Sequence, residues 1–346
     1  MVAALLKETE LQKDYLGSEP VKTIYIGGGT PSLLQIEDLR LQIDKIKHFY
    51  PVSIDAEVTL EANPDDITEE LLNSWKETGI NRLSIGIQSF FEEDLKWMNR
   101  AHNAQQAIDS LQMAIKQFSN ITIDLIYGYP LLSDDKWKRN IEKAIAFSIP
   151  HLSCYALTVE PKTPLHKMIR EHKTEDVNPG KQSDQFLLLM QWMEKGGYEH
   201  YEISNFAKPG FRSRHNSSYW QGEKYLGIGP SAHSFDGSSR QWNISNNTIY
   251  TDSINKGLLP SEKELLTPTQ KLNEYIMTSL RTIEGLDLKK LDKAASLELQ
   301  TAGKRYIDSG KMIINDGKII LTKEGKLFAD GIAADLFLTD KSISNF

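Results

Sequence analysis

The chain has 346 residues, 40% hydrophobic and 25% charged, with a net charge of −7, a balance that fits a large α/β domain with an appendage. The negative charge and the lack of a basic run argue against a nucleic-acid binder, and no apolar stretch approaches the ~20 residues that span a bilayer. A single cysteine, Cys154, excludes an internal disulfide framework and any three-cysteine metal or cluster site within these residues, and suits a reducing cytoplasm with at most peripheral membrane contact.

The chain opens on VAALLKETELQKDYL, an amphipathic helix carrying acidic residues, which argues against a signal or transit peptide. VKTIYI (21–26) reads as a strand ending in three glycines, with Thr30-Pro31 as the start of the next helix, since Thr caps and Pro suits a first turn. That helix sets Ile36, Leu39, Ile43, Ile46 and Phe49 on one face. IDAEVTLEA (54–62) is a strand stopped by Asn63-Pro64, followed by a helix from Thr68 to Gly79. NRLSIGI (81–87), NITIDLIYG (120–128), HLSCYALTV (151–159) and YEHYEIS (198–204) continue the strand series, with helices between them. Strands alternating with helices imply a parallel sheet with right-handed crossovers.

The expected architecture is therefore α/β: a partial parallel βα barrel over 1–205, a loop-rich connection over 206–260, and a small, mainly helical, winged-helix-like module over 261–346. In that module KMIINDGKIILT reads as a hairpin turning at Asp316-Gly317, followed by a final helix, KEGKLFADGIAADLF. A βα barrel should open on a strand, so the first strand of this barrel is expected to be missing before Met1.

Ligands of parallel α/β folds bind at the C-terminal ends of the strands. The residues there are Gly27-Gly28-Gly29-Thr30, Glu61, Gln88, Asp124 and Ala156-Leu157. A glycine run lets a ligand approach the backbone and offers amides to a carboxylate or phosphate; a tight turn is its ordinary alternative. Ionised Glu61 and Asp124 accept only, and suit an ammonium group or ribose hydroxyls, or a salt bridge at the rim. Gln88 serves a ligand or a loop backbone equally.

YIGGGTPSLL, EVTLEANPDDIT, GINRLSIGIQSF with LKWMNRAH, and TIDLIYGYP resemble the successive strand-end motifs of the oxygen-independent coproporphyrinogen oxidase family of radical S-adenosylmethionine (SAM) proteins. By that resemblance Gly28, Gly29 and Thr30 hold the methionine end of SAM, while Glu61, Gln88, Arg100 and Asp124 hold its amino-acid and ribose groups. Ala156 lies beside the adenine.

The run Arg214-His215-Asn216-Ser217-Ser218-Tyr219-Trp220 and the later GPSAHSF resemble the HemW branch, described as heme chaperones, rather than the decarboxylating oxidase. His215, Tyr219 and Trp220 are thus the expected heme or porphyrin contacts, an imidazole for the iron and aromatic faces for the macrocycle. The alternative is a loop ordered by His215 and Asn216.

The resemblance also implies a [4Fe–4S] cluster held by CxxxCxxC, and this chain carries no such motif. A start placed at an internal methionine accounts for both the motif and the first strand better than decay of the cysteines alone, and better than a fragment. The reading is a heme-binding and heme-delivery protein that uses SAM, with heme-accepting proteins as partners. The alternatives are a coproporphyrinogen III oxidase, inactive without its cluster cysteines, and a phosphate-binding barrel enzyme built on the glycine loop, for which no base can be named.

Overall fold

Local punctuation accounts for most of the element boundaries. In the computed structural model, which describes residues 1–339, helix α1 (Val2–Leu11) leads into β1 (Val21–Ile26), α2 (Ile36–Phe49) and β2 (Val52–Ala62). The series continues with α3 (Glu69–Glu77), β3 (Arg82–Gln88), α4 (Glu92–Trp97), α5 (Ala104–Gln117), β4 (Ile121–Tyr127) and α6 (Asp134–Ala146). Strand β5 (His151–Ala156) and helices α7 (Pro164–Arg170) and α8 (Pro179–Lys195) follow. Thr68, Ser133 and Asn178 each accept a backbone N–H at a helix start, and Asn103 with Gln106 forms a reciprocal capping box; each cap contributes about 1 kcal/mol.

Thr30-Pro31 departs from expectation. It opens only a 3-10 turn, Pro31–Leu33, and the Thr30 hydroxyl makes no capping bond. Leu34 and Gln35 are extended, so α2 begins at Ile36.

Strands β1 to β5 are parallel and in sequence order. The last strand of the series is the second departure. Residues 198–204 do not extend the parallel run: β6 (Glu199–Glu202) turns at Ile203-Ser204 into β7 (Asn205–Ala207), and β7 inserts antiparallel between β5 and β6. Glu202 fixes that reversal, accepting from Ser204 N at 3.0 Å and from the Asn205 amide at 2.6 Å.

Successive side chains of a strand point to opposite faces, and here the two faces differ in kind. Leu60, Leu83, Ile85, Ile123 and Leu152 lie buried against Leu39, Leu72, Trp75 and Trp137 of the outer helices. Thr23, Tyr25, Glu57, Glu61, Arg82, Ser84, Thr122, Asp124 and Ser153 occupy the alternate positions, so the concave face is polar.

Residues 206–260 are more ordered than a loop-rich reading anticipates. Besides β7 they hold α9 (Arg214–Trp220), β8 (His233–Phe235) and β9 (Ser239–Asn243); α10 (Asn247–Asn255) and β10 (Ser261–Leu265) complete a small antiparallel sheet unit. Buried Glu8 ties α1 to this unit, accepting from Gly229 N at 2.8 Å, from Asn243 at 2.6 Å and from the Tyr250 hydroxyl. A buried carboxylate is tolerated because its lone pairs are filled in this way.

The C-terminal module comprises α11 (Pro268–Leu280), β11 (Leu286–Asp287), α12 (Lys293–Asp308), β12 (Met312–Asn315), β13 (Lys318–Leu321) and α13 (Ala329–Asp335). Asp316 and Gly317 both take positive φ, 48° and 73°, the backbone that a two-residue hairpin needs. The expected final helix is split: Gly325–Phe328 is a 3-10 turn, and α13 begins only after Phe328, at φ −119°. Arg281 joins the module to the barrel, 3.0 Å from Glu202 and 2.8 Å from Asp330. Among the described residues, no helix is long and apolar enough to cross a membrane.

Candidate functional site at the strand ends and helix α9

The glycine loop after β1 is shaped by two constraints. A Cβ on Gly27 would fall 2.6 Å from the Tyr25 ring and 2.9 Å from the Glu61 carboxyl, whereas Gly28 and Gly29 have open space but positive φ of 77° and 62°. The first glycine is required by packing and the next two by backbone conformation. Glu61, ending β2, holds the loop: it accepts from Gly28 N at 3.0 Å and from the Tyr25 hydroxyl at 2.6 Å. Thr30 lies exposed beyond it.

Gln88 ends β3 at φ 66°, a left-handed conformation uncommon for a side chain of its size. Arg100 reaches the same place from the loop after α4, donating to Asn63 at 3.1 Å and to the Gly86 carbonyl at 3.3 Å, while its Nε is buried without a partner. Asp124 on β4 has its pKa pushed up to about 7, chiefly by burial and then by the charge of Glu61; Ser153, Arg100 and Arg82 oppose the shift. The structure thus brings Glu61, Gln88, Arg100 and Asp124 into one polar corner. Ala156 ends β5 one strand further on, packed against the core. Asn63 and Tyr25 are site residues that motif reading missed; period-2 alternation along β1 would have flagged Tyr25.

The run from 214 to 220 is a helix rather than a loop, and an element of the barrel holds it. Glu57 on β2 accepts the backbone N–H of Arg214 at 3.2 Å and of His215 at 3.0 Å, and lies 3.8 Å from buried Arg82. Ser213 caps the same helix through Asn216 N. The His215 ring stacks on Tyr25 at 4.7 Å and 14°, and its Nδ1 lies 2.9 Å from the Thr23 hydroxyl. Tyr219 meets the imidazole edge-on at 5.0 Å, and Tyr225 meets Tyr219 at 4.7 Å. Burial pushes the His215 pKa down to about 4, so the imidazole is neutral at neutral pH.

A cleft of about 1300 Å³ runs between β1 and α9, lined by Tyr25, Gly28, Thr30, His215, Tyr219 and Tyr225 among others. Trp220 is not part of it. Its indole lies under the Arg281 guanidinium at 5.1 Å and lines a separate cavity of about 240 Å³ beside the C-terminal module. The structure therefore keeps His215 and Tyr219 together and separates Trp220 from both.

The sequence profile of the Radical SAM superfamily matches residues 6–144, and that of the HemN C-terminal domain matches residues 266–328. The heme chaperone HemW of Bacillus subtilis is 32% identical over 323 residues, 91% of this chain and 85% of that protein. The HemW of Escherichia coli is 36% identical over 236 residues, 67% of this chain and 61% of that protein. The chain belongs to the HemW family of the radical SAM superfamily. Coproporphyrinogen III oxidase (HemN) of Escherichia coli shares the fold, with a TM-score of 0.81 at 21% identity over 97% of this chain and 82% of that one.

The residues at the strand ends fit the cofactor after which the superfamily is named. Orphaned Arg100 Nε is a donor for a carboxylate or hydroxyl, and Glu61 and desolvated Asp124 are acceptors for an ammonium or hydroxyl. The cluster does not fit in the same way. Cys154 is the one cysteine of the sequence, buried in β5, and among the described residues no group of three or more His, Cys, Asp or Glu is placed to hold a metal.

Proposed function

We propose that this protein binds heme in the cleft between β1 and α9, with SAM held at the adjoining strand ends, and passes the heme to acceptor proteins in the cytoplasm. The observation that carries the reading is the pairing of His215 with that cleft. An imidazole that ligates iron keeps one ring nitrogen engaged by a protein oxygen, which fixes its tautomer and orientation, and the Thr23 contact at 2.9 Å supplies that partner to Nδ1. The low pKa of about 4 keeps the ring neutral, the ligating form. Tyr25, Tyr219 and Tyr225 provide aromatic surface for a macrocycle, and the cleft exceeds the roughly 300–1,000 Å³ of ordinary small-ligand sites.

For SAM, Glu61 and Asp124 would accept from its amino group and ribose, Arg100 and the Gly29 amide would take its carboxylate beside the Gly28 turn that Glu61 holds, and Ala156 would border the adenine. Bound SAM supplies a sulfonium carbon–sulfur bond. The residues of this chain would orient it, and with one cysteine they do not provide the three thiolates of a cluster.

Hemin titration tests the heme reading. The parent protein should give a Soret band of imidazole-ligated heme, and His215→Ala should shift or weaken it, whereas exposed His172→Ala should leave it unchanged. His151→Ala is no control, because His151 is buried and bonded to the Tyr201 hydroxyl at 2.7 Å. An unchanged spectrum and affinity in His215→Ala would overturn the ligand assignment.

A further inference from the structure

Tyr25 touches both halves of this site. Strand alternation puts it on the concave face between Thr23 and Gly27. Its ring lies flat against the His215 imidazole at 4.7 Å, and its hydroxyl donates to Glu61 at 2.6 Å. The second oxygen of Glu61 accepts from Gly28 N at 3.0 Å. The glycine at position 27 is what admits the ring, since a Cβ there would stand 2.6 Å from it. Imidazole, carboxylate and glycine loop therefore set the position of one aromatic side chain.

A ligand that donates an ammonium or hydroxyl to Glu61 shares the carboxylate with Tyr25 and Gly28, and so fixes all three together. Iron bound to His215 fixes the imidazole that stacks on the same ring. We propose that Tyr25 is a positioning residue that couples the two ligands, so that SAM held by Glu61 tightens heme at His215 and heme tightens SAM in return. The inference rests on the heme and SAM reading above and adds the regulation of that site. Each ligand removes freedom that the other would otherwise have to remove, which makes the coupling positive. It is also reciprocal by thermodynamic necessity. Only one residue lies between the two ligand-binding side chains, so no long pathway has to be invoked.

Hemin titration by the Soret band, with and without saturating SAM, measures the coupling, and calorimetric SAM titration with and without hemin measures its reciprocal. In the parent chain each ligand should lower the other's Kd by the same factor, about fivefold or more. Tyr25→Phe keeps the ring and removes the hydroxyl, and the factor should fall to near one whatever happens to each affinity alone. Glu61→Gln should do the same, and the double variant should add nothing further to the loss. A purely structural Tyr25 would instead change the melting temperature or both affinities and leave the factor intact, which would overturn the proposal. So would two ligands that bind the parent protein independently. A parent protein that takes up no hemin would remove the heme reading itself, and the coupling with it.

Discussion

The strand ends and helix α9 face one another across the same concave surface, but their polar groups are in different states. At the strand ends Arg100 Nε is buried without a partner, Asp124 carries a raised pKa, and Gln88 sits at φ 66°. Along α9 the first backbone N–H groups are taken by Glu57, the His215 ring by Thr23 and Tyr25, and the cap by Ser213. Unsatisfied polar groups in a folded protein cost free energy until a ligand completes them, whereas the His215 end of α9, with its polar groups engaged, presents an aromatic face. The chemistry of the first region suits a charged, hydrogen-bonding molecule and that of the second a flat one.

The sharpest way to break this contrast is to remove the anchor of α9. Glu57→Ala leaves the guanidinium of Arg82 buried without its carboxylate and frees two helix N–H groups; a loss of roughly 3–5 kcal/mol is expected. Urea unfolding measures it, and a loss below about 1 kcal/mol would mean that α9 is held by something else.

The next test concerns the strand ends. The native pKa of Asp124, about 7, lies above the 3.8 of a free carboxyl, so the folded state keeps its proton to higher pH than the unfolded state. The resulting stabilisation is complete below pH 3.8, declines as pH rises, and is lost above about 7. Asp124→Asn should flatten the fall in stability across that window and leave the variant more stable than the parent at pH 8, as thermal unfolding at several pH values will show. An unchanged slope would mean that Asp124 is already satisfied, and the contrast between the two regions would weaken.

The smallest effect is expected at Trp220. Its Nε1 is buried without a partner, so Trp220→Phe removes an unsatisfied donor and keeps most of the ring, and stability should change by less than about 1 kcal/mol. Heme affinity should not change, because the indole lies outside the cleft. A large loss of heme binding would restore Trp220 to the macrocycle site.

Sequence alone determined the order of strands and helices from β1 to β5 and the set of strand-end residues, because caps, glycine turns and strand termini are local events that neighbouring residues decide. Thr68 caps α3 within three residues of itself, and Asp316-Gly317 turns its hairpin regardless of what packs on it. The polar alternation of β1 to β5 is also present in the sequence, though the motif reading did not use it: a parallel sheet covered on both faces should read as a continuous apolar run and these strands do not.

Tertiary structure decided the rest. Whether residues 198–204 extend the sheet depends on Glu202 reversing the chain, and on β7 finding a place between β5 and β6. Which ring of the 214–220 run faces the cleft beside β1 depends on Glu57, which lies 158 residues before His215 in the chain. The contact of His215 with Thr23 spans 192 residues and that of Tyr25 with Glu61 spans 36. No local propensity reports such pairs, because they exist only once β1, β2 and α9 have been packed against one another by the apolar face of the sheet.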